Sequence, residues 1–315
     1  MNLLVTGGAG FIGSALVRLL RAERPAWPVV TLDALTYAGS LENLADLKND
    51  SGHTFVHGDI RDAAKVREVM RTFSIEAVLH LAAESHVDRS IAGPGLFIDT
   101  NVGGTQVLLD AAREAQVRRF VQVSTDEVYG SADRGERFTE QSPLCPSSPY
   151  SASKAAGDLL ARAYQRTYGL DVVITRCSNN YGPRQFPEKL IPLAISCALA
   201  DRPVPVYGDG QQVRDWLHVD DHCTGLLAAL ERGQPGAIYN FGANDERPNL
   251  ALLTELLDRL GKPASLLTFV ADRPGHDRRY ALDASRAKRE LGWSPRVAFA
   301  DGLSRTVAWY RARGH

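Results

Sequence analysis

Thr6-Gly7-Gly8-Ala9-Gly10-Phe11-Ile12-Gly13 follows the apolar run Asn2–Thr6 and leads into a helical stretch, Ser14–Arg24. Gly7, Gly10 and Gly13 form a GxxGxxG pattern at a strand-to-helix junction. Glycine lets such a turn take dihedrals that other residues avoid, and it lets backbone approach a ligand closely. The following helix offers free N–H groups and a positive dipole end, which suit a pyrophosphate. A tight turn without a ligand would use the same glycines. The place of this turn at the first βα junction of an α/β pattern favours a dinucleotide. Phe11 and Ile12 complete the turn. Asp33 closes the second expected strand, where a carboxylate accepts ribose hydroxyls and repels a 2′-phosphate, so NAD is expected over NADP. Asp59-Ile60, after the third strand, is placed to meet an adenine, although Gly58-Asp59 is also an ordinary turn.

The pattern around this turn sets the fold. Short apolar or β-branched runs at Asn2–Thr6, Val29–Leu32, Thr54–His57, Ala77–Leu81, Phe120–Val123 and Val172–Arg176 alternate with helical stretches such as Ser14–Arg24 and Asp62–Thr72, and Ala237–Phe241 adds a seventh run. Near-continuous apolar strands alternating with helices predict an α/β fold, a doubly wound parallel sheet covered on both faces. A chain of 315 residues with 44% hydrophobic content can fill such a core. After Cys177 prolines and glycines cluster, a helix is expected near Leu250–Leu260, and Asp272–Arg279 is polar. That region reads as a smaller α/β substrate-binding lobe. The expected division is 1–178 with 216–244 for the nucleotide-binding domain, and 179–215 with 245–315 for the lobe.

Composition excludes several classes. A net charge of −1 creates no field for nucleic acid or anionic membrane. Four cysteines without a CxxC pair argue against a zinc or redox centre, so no metal is expected. The first strand begins at once, so no signal peptide is expected, and the apolar stretch Leu190–Ala200 contains Pro192 and is too short for a bilayer. A cytoplasmic location fits.

Two further motifs carry chemistry. Tyr150-Ser151-Ala152-Ser153-Lys154 places a phenol and an ammonium one helical turn apart. A nearby ammonium and an oxidised nicotinamide both favour the phenolate, so Tyr150 is expected to work as a base at a substrate hydroxyl, with Lys154 also holding the nicotinamide ribose. Ser124-Thr125-Asp126-Glu127 stands at the carboxyl end of the strand Phe120–Val123, the edge where ligands bind in open α/β sheets. Adjacent acids also begin ordinary solvated loops. Beside a tyrosine–lysine pair they can divide acid and base roles if their environments separate their pKa values.

These motifs resemble the extended short-chain dehydrogenase/reductase superfamily and, within it, the dTDP-glucose 4,6-dehydratases. The likeness extends over almost the whole chain. It includes His80-Leu81-Ala82-Ala83-Glu84-Ser85-His86-Val87-Asp88-Arg89-Ser90, Cys177-Ser178-Asn179-Asn180-Tyr181-Gly182-Pro183, Phe186-Pro187-Glu188-Lys189-Leu190-Ile191-Pro192 and Ala271–Tyr280. The resemblance implies a Rossmann-type domain with NAD and oxidation at C4 of a nucleotide hexose. It further implies elimination of water across C5 and C6, then hydride return to C6. In that scheme Tyr150 takes the C4 hydroxyl proton, Thr125 bonds the C4 oxygen, Glu127 removes the C5 proton and Asp126 protonates the departing C6 hydroxyl. Leu81, Ala82, Ala83, Thr100 and Asn180 would contact NAD. Ser85, Thr125 and Asn179 would face the sugar and adjoining phosphate. Lys189, Leu190, Pro205 and Tyr207 would line the nucleoside pocket. Arg214, Asn249, Asp272, Arg273 and His276 would hold the diphosphate and base. Arg184 stands where the family often has an aromatic residue, at the edge of the expected substrate loop. The resemblance also implies a homodimer through helices near Phe97–Ala115 and Tyr150–Tyr168.

Other readings compete. A nucleotide-sugar epimerase or decarboxylase would share Tyr150, Lys154 and the NAD site but has no need of the acid pair. A dehydratase could prefer another base such as UDP. A non-catalytic NAD-binding regulator would need none of the four reactive residues.

Overall fold

The computed structural model describes residues 1–313. Its main body is a seven-stranded parallel sheet. Strands β1 (Leu3–Thr6), β2 (Val29–Asp33), β3 (His53–His57), β4 (Ala77–His80), β5 (Arg119–Thr125) and β6 (Val172–Cys177) are joined by the strand Ile238–Phe241. The spatial order is Ile238–Phe241, β6, β5, β4, β1, β2, β3. Order reverses after β1, so the chain winds both ways and opens a crevice at the carboxyl ends of β1 and β4. Every residue of β1, β2, β4 and β6 is buried, as expected of strands covered on both faces.

Alternation divides the body into two cores. Val121 and Val173 face Leu16, Val17 and Leu20 of helix α1 (Phe11–Glu23) together with Leu226. Phe120 and Ile174 face Val66, Val69 and Leu108 on the other side.

The smaller lobe holds two little sheets. Glu246–Pro248 runs antiparallel to Val213–His218, which pairs in parallel with Asn179–Tyr181. Leu267–Val270 runs parallel to Val204–Tyr207. Ile191, Ile195, Trp216, Leu253, Leu256 and Val307 form its core. One segment differs from the sequence-based division. Ala287, Leu291 and Trp293 pack into the first body, and Trp293 Nε1 donates to the Asp221 carbonyl at 3.0 Å. Its helix, Ser285–Leu291, is too short to build a core alone and joins the larger apolar surface.

Two elements position the residues expected to react. β5 runs through Thr125, two residues beyond the expected end, so Ser124 and Thr125 belong to the sheet. The helix Pro149–Tyr168 starts with a capping box between Ser148 and Ser151, has proline in its first turn and ends at Gly169 with φ 70°. That start places Tyr150 in the first turn, over the sheet edge.

Candidate active site

A cleft of about 890 Å³ opens at the carboxyl ends of the parallel strands. Gly7, Gly10, Phe11, Ile12, Gly13, Asp33, Asp59, Ile60, Leu81–Ala83 and Thr100 line one end; Ser85, Thr125, Asp126, Glu127, Tyr150, Lys154, Asn179, Asn180 and Lys189 line the other.

The glycine turn has no room for side chains. Gly7 adopts φ 70°, and a Cβ there would sit 2.7 Å from the Ala82 nitrogen. A Cβ at Gly13 would collide with the Gly7 carbonyl oxygen. The start of α1 carries no side-chain cap and no acid in its first turn, so its amide donors remain available. Asp33 Oδ2 accepts the Ala9 amide at 2.9 Å and Oδ1 accepts the Leu35 amide at 2.8 Å. Burial pushes the Asp33 carboxyl up, and these two amides pull it back. Asp59 is held below the usual carboxylate range by its hydrogen bonds with the Arg61 guanidinium, the shortest 2.6 Å. Ile60 is buried beside it. Thr100 sits in a π-helical turn, Asp99–Gly104, a local widening often found at functional sites. Asn180 is fixed through Oδ1, 2.9 Å from His222 Nδ1, and through its Nδ2 bond to the Ser178 carbonyl.

The acid pair occupies a single turn of 3₁₀ helix, Asp126–Tyr129, closed by Gly130 at φ 81°. Thr125 caps that turn. Its Oγ1 accepts the Glu127 amide at 3.3 Å and donates to Asp126 Oδ1 at 3.2 Å. Asp126 is 1% exposed, and its Oδ2 has no protein partner. Burial and the neighbouring Glu127 charge raise the Asp126 carboxyl well above the usual range. Burial also raises Glu127, but Arg273, Lys189 and Arg214 pull it down. The two acids therefore stand in different fields: burial and the Glu127 charge favour the protonated form of Asp126, while Arg273, Lys189 and Arg214 offset the burial of Glu127.

Tyr150 and Lys154 are both buried at the cleft. The expected lowering of the phenol does not arise from the chain alone. Burial, then the Glu127 charge, raise Tyr150 well above its ordinary value. Lys154 Nζ donates to the Val123 carbonyl at 2.7 Å, and burial pulls its pKa down. Burial and the Glu127 charge thus dominate the Tyr150 phenol.

The remaining expected contacts divide in two. Lys189 Nζ donates to the Ser85 carbonyl at 2.8 Å, which brings both into the cleft, and Asn179 Oδ1 is buried without a partner. Leu190 does not line the cleft; it starts the helix Leu190–Leu199 and packs against the lobe core. Pro205, Tyr207, Arg214, Asn249, Asp272, Arg273 and His276 lie in the lobe, outside the cleft lining. Tyr207 meets the His276 ring edge-on at 6.5 Å, and His276 Nδ1 is 2.6 Å from Asp272 Oδ1. The Arg214 guanidinium lies 4.1 Å from the centre of the Tyr280 ring, and Asn249 Oδ1 is buried and unpartnered. Arg214 and Arg273 connect this group to the acid pair, since both charges act on Glu127. Pro205 sits in the strand beside Thr268. Arg184 stands next to Gln185 and Phe186, which line the cleft. It adopts φ 71°, and its Nη2 lies 4.0 Å from Asp46 Oδ2, away from the cleft lining.

Several cleft residues were not legible in sequence. The Arg89 guanidinium lies 3.8 Å from the Tyr37 ring centre, Tyr37 meets Phe186 edge-on at 5.6 Å, and Arg89 Nε is 3.7 Å from Glu188 Oε2. Arg89 and Glu188 fall in segments that mark the family; nothing in the sequence around Tyr37 signals a site.

The description "GDP-mannose 4,6 dehydratase" belongs to the family model that matches residues 4–306. A dTDP-glucose 4,6-dehydratase of Actinoplanes sp. is 54% identical over 317 residues, covering 99% of this chain and 98% of that protein. The chain belongs to the dTDP-glucose 4,6-dehydratase family. A solved member of the family, from Streptomyces venezuelae with NAD bound, is 57% identical with a TM-score of 0.97, covering 99% of this chain and 97% of that one. The UDP-glucose 4-epimerase of Thermotoga maritima has nearly the same fold, with a TM-score of 0.93, at 32% identity over 100% of both chains. The sheet therefore does not distinguish a dTDP-glucose 4,6-dehydratase from an epimerase; the residues at its edge must.

Proposed function

We infer that the protein is a dTDP-glucose 4,6-dehydratase, converting dTDP-D-glucose to dTDP-4-keto-6-deoxy-D-glucose and water with NAD recycled in the site. The observation that carries this reading is the separation of Asp126 from Glu127. Burial and its neighbour's charge raise the Asp126 carboxyl well above the usual range, whereas Glu127 faces Arg273, Lys189 and Arg214. Elimination of water needs such a pair, and epimerisation does not.

The glycine turn fits NAD: backbone is open where side chains are excluded, and Asp33 borders the cleft. Gly7, Gly10, Gly13, Asp33, Thr100, Asn180 and Lys154 would hold it. Bound NAD supplies a hydride acceptor for C4, a hydride donor for C6 and, when oxidised, positive charge that lowers the Tyr150 pKa. Tyr150 accepts the C4 hydroxyl proton while Thr125 bonds the C4 oxygen. Once C4 is a ketone, the C5 proton is acidic and Glu127 removes it. Asp126 gives its proton to the C6 hydroxyl, which leaves as water, and C5 regains a proton, exchanged with solvent, as C6 receives hydride. Ser85, Asn179 and Lys189 bind the sugar and phosphate end. Arg214, Asn249, Asp272, Arg273 and His276 bind the diphosphate and base, where the planar guanidinium suits phosphate oxygens.

The larger body and the lobe act as cofactor and substrate domains. The protein works as a homodimer. Ile98, Leu159 and Tyr168 support this, because they expose apolar surface on the helices expected to pair. Among the described residues no helix is long and apolar enough to cross a membrane, and a cytoplasmic location accords with a nucleotide-sugar substrate.

The test is incubation with dTDP-glucose and a panel of other nucleotide sugars, UDP-glucose included. Mass spectrometry should find a 4-keto-6-deoxy product carrying solvent deuterium at C5. An epimerised product that keeps its C6 hydroxyl would overturn the reading.

A further inference from the structure

Below the reactive groups lies a buried ion pair that the chemistry above leaves unused. Tyr150, Lys154 and Asp158 occupy successive turns of one face of the helix Pro149–Tyr168. Asp158 is 0% exposed and Arg176 is 1% exposed. Arg176 stands on β6 directly opposite Ser124 of β5, and its Nε is 2.9 Å from Asp158 Oδ2. Helix and sheet approach closely here. A Cβ at Gly157, next to Asp158, would be 3.2 Å from Gln122 Nε2 and from the Asn101 carbonyl oxygen. Arg176 is itself braced, with its guanidinium 4.8 Å from the centre of the Tyr129 ring. Tyr129 in turn donates to Asn240 Oδ1 at 2.9 Å.

We propose that Asp158 is a positioning residue of the reaction: held ionised by Arg176, it keeps the Lys154 ammonium charged on the Val123 carbonyl and thereby sets the pH range in which Tyr150 works. The proposal rests on the dehydratase reading.

Burial alone discharges an ammonium, and a carbonyl dipole only partly offsets that, so a fixed anion is needed. Asp158 is the group that supplies it. His80 on β4 is neutral, because burial holds its pKa down to about 3. Cys177 on β6 is a buried thiol pushed well up. In the turn after β5, burial and the Glu127 charge favour the neutral form of Asp126, and Glu127 lies among Arg273, Lys189 and Arg214. The helical segments packed on the other side bring the uncharged Asn101 and Thr105, and Asp110 there bonds Tyr164, farther along the helix. Burial pushes Asp158 up, and the Arg176 and Lys154 charges pull it back. Arg176 is bonded to only one of its oxygens; among the described residues Asp158 Oδ1 and Arg176 Nη2 are buried without hydrogen-bond partners. A pair joined by one hydrogen bond cancels less of its charge than a bidentate one, so Asp158 still acts on Lys154.

The test compares the NAD-loaded wild type with Asp158→Asn and with the double variant Asp158→Asn, Arg176→Met, which leaves no unpaired buried arginine. Two readouts are taken: the pH profile of kcat, and the ultraviolet phenolate titration of Tyr150 as the difference from the matching Tyr150→Phe protein. The acid limb and the phenolate titration should both move upward, by about one pH unit in the single variant and by less in the double. KM should stay unchanged, and kcat near neutrality should fall about tenfold in the single variant. A phenolate titration at the wild-type position in the double variant overturns the proposal, whether or not the single variant folds. If the wild type makes no keto product, the dehydratase reading fails, while the phenolate titration still decides the role of Asp158.

Discussion

Asp33 Oδ2 accepts the backbone amide of Ala9 at 2.9 Å, so the end of β2 clamps the glycine turn that follows β1. The residue expected to choose the cofactor also holds the cofactor loop in shape. Replacing Asp33 by Ala should therefore act twice. The amides of Ala9 and Leu35 lose their acceptor, costing about 1–3 kcal/mol of stability. NAD affinity should fall about 10–100-fold, as measured by calorimetric titration. Undiminished affinity would remove Asp33 from the ribose site.

Substitutions in the acid pair should separate two steps. Glu127→Gln should abolish solvent deuterium exchange at C5. Asp126→Asn should leave that exchange in place and slow water loss by about 10²–10⁴-fold. Mass spectrometry of the sugar after reaction in deuterium oxide distinguishes the two. Normal dehydration by both variants would reject the assigned roles.

Asp126 should also lower stability at the pH where it works. Its folded-state carboxyl titrates well above the ordinary range because of burial and Glu127. The folded protein thus binds that proton more tightly than the unfolded chain. The resulting stability is complete below the unfolded carboxylate pKa and is lost as pH rises through the folded one. Asp126→Asn removes the loss, so its Tm should exceed that of the wild type by a margin that widens with rising pH. Thermal melts across a pH series give the answer.

Gly13→Ala should be severe for a change of one methyl group. Its Cβ would collide with the Gly7 carbonyl, which is backbone and cannot swing aside. A loss of about 2–4 kcal/mol is expected, with loss of NAD retention on gel filtration. Gly95→Ala, whose Cβ meets nothing within 4 Å, serves as the control.

Dimerisation can be tested on the exposed apolar side chains. Leu159 is 54% exposed and Ile98 is 50% exposed. Leu159→Glu combined with Ile98→Glu should give monomers in sedimentation analysis. A wild-type protein that sediments as a monomer would reject the homodimer.

The parallel sheet was legible because buried strands are written as apolar runs, such as Leu3–Thr6 and Val172–Cys177. The start of the helix Pro149–Tyr168 was legible for a local reason too, since proline and the Ser148–Ser151 box act within one turn. Motif spacing brought Asp126, Glu127, Tyr150 and Lys154 to one sheet edge. Tyr37 was not legible, because its place depends on Arg89 and Phe186, which are distant in the chain. The approach of Arg184 to Asp46 was not legible either, because Asp46 is distant in the chain.

What the sequence determined by itself was the order of the groups proposed to react, and a sheet edge on which to place them. Hydrophobic periodicity and turn chemistry are local, so they survive without coordinates. The charge states were decided by tertiary structure. Asp126 and Glu127 are neighbours of the same chemical kind, and burial together with its neighbour's charge raises Asp126 well above the ordinary range. The other is met by arginines from a lobe 87 and more residues farther along the chain. Desolvation and long-range charge depend on what folding brings together, and no spacing along the chain encodes them.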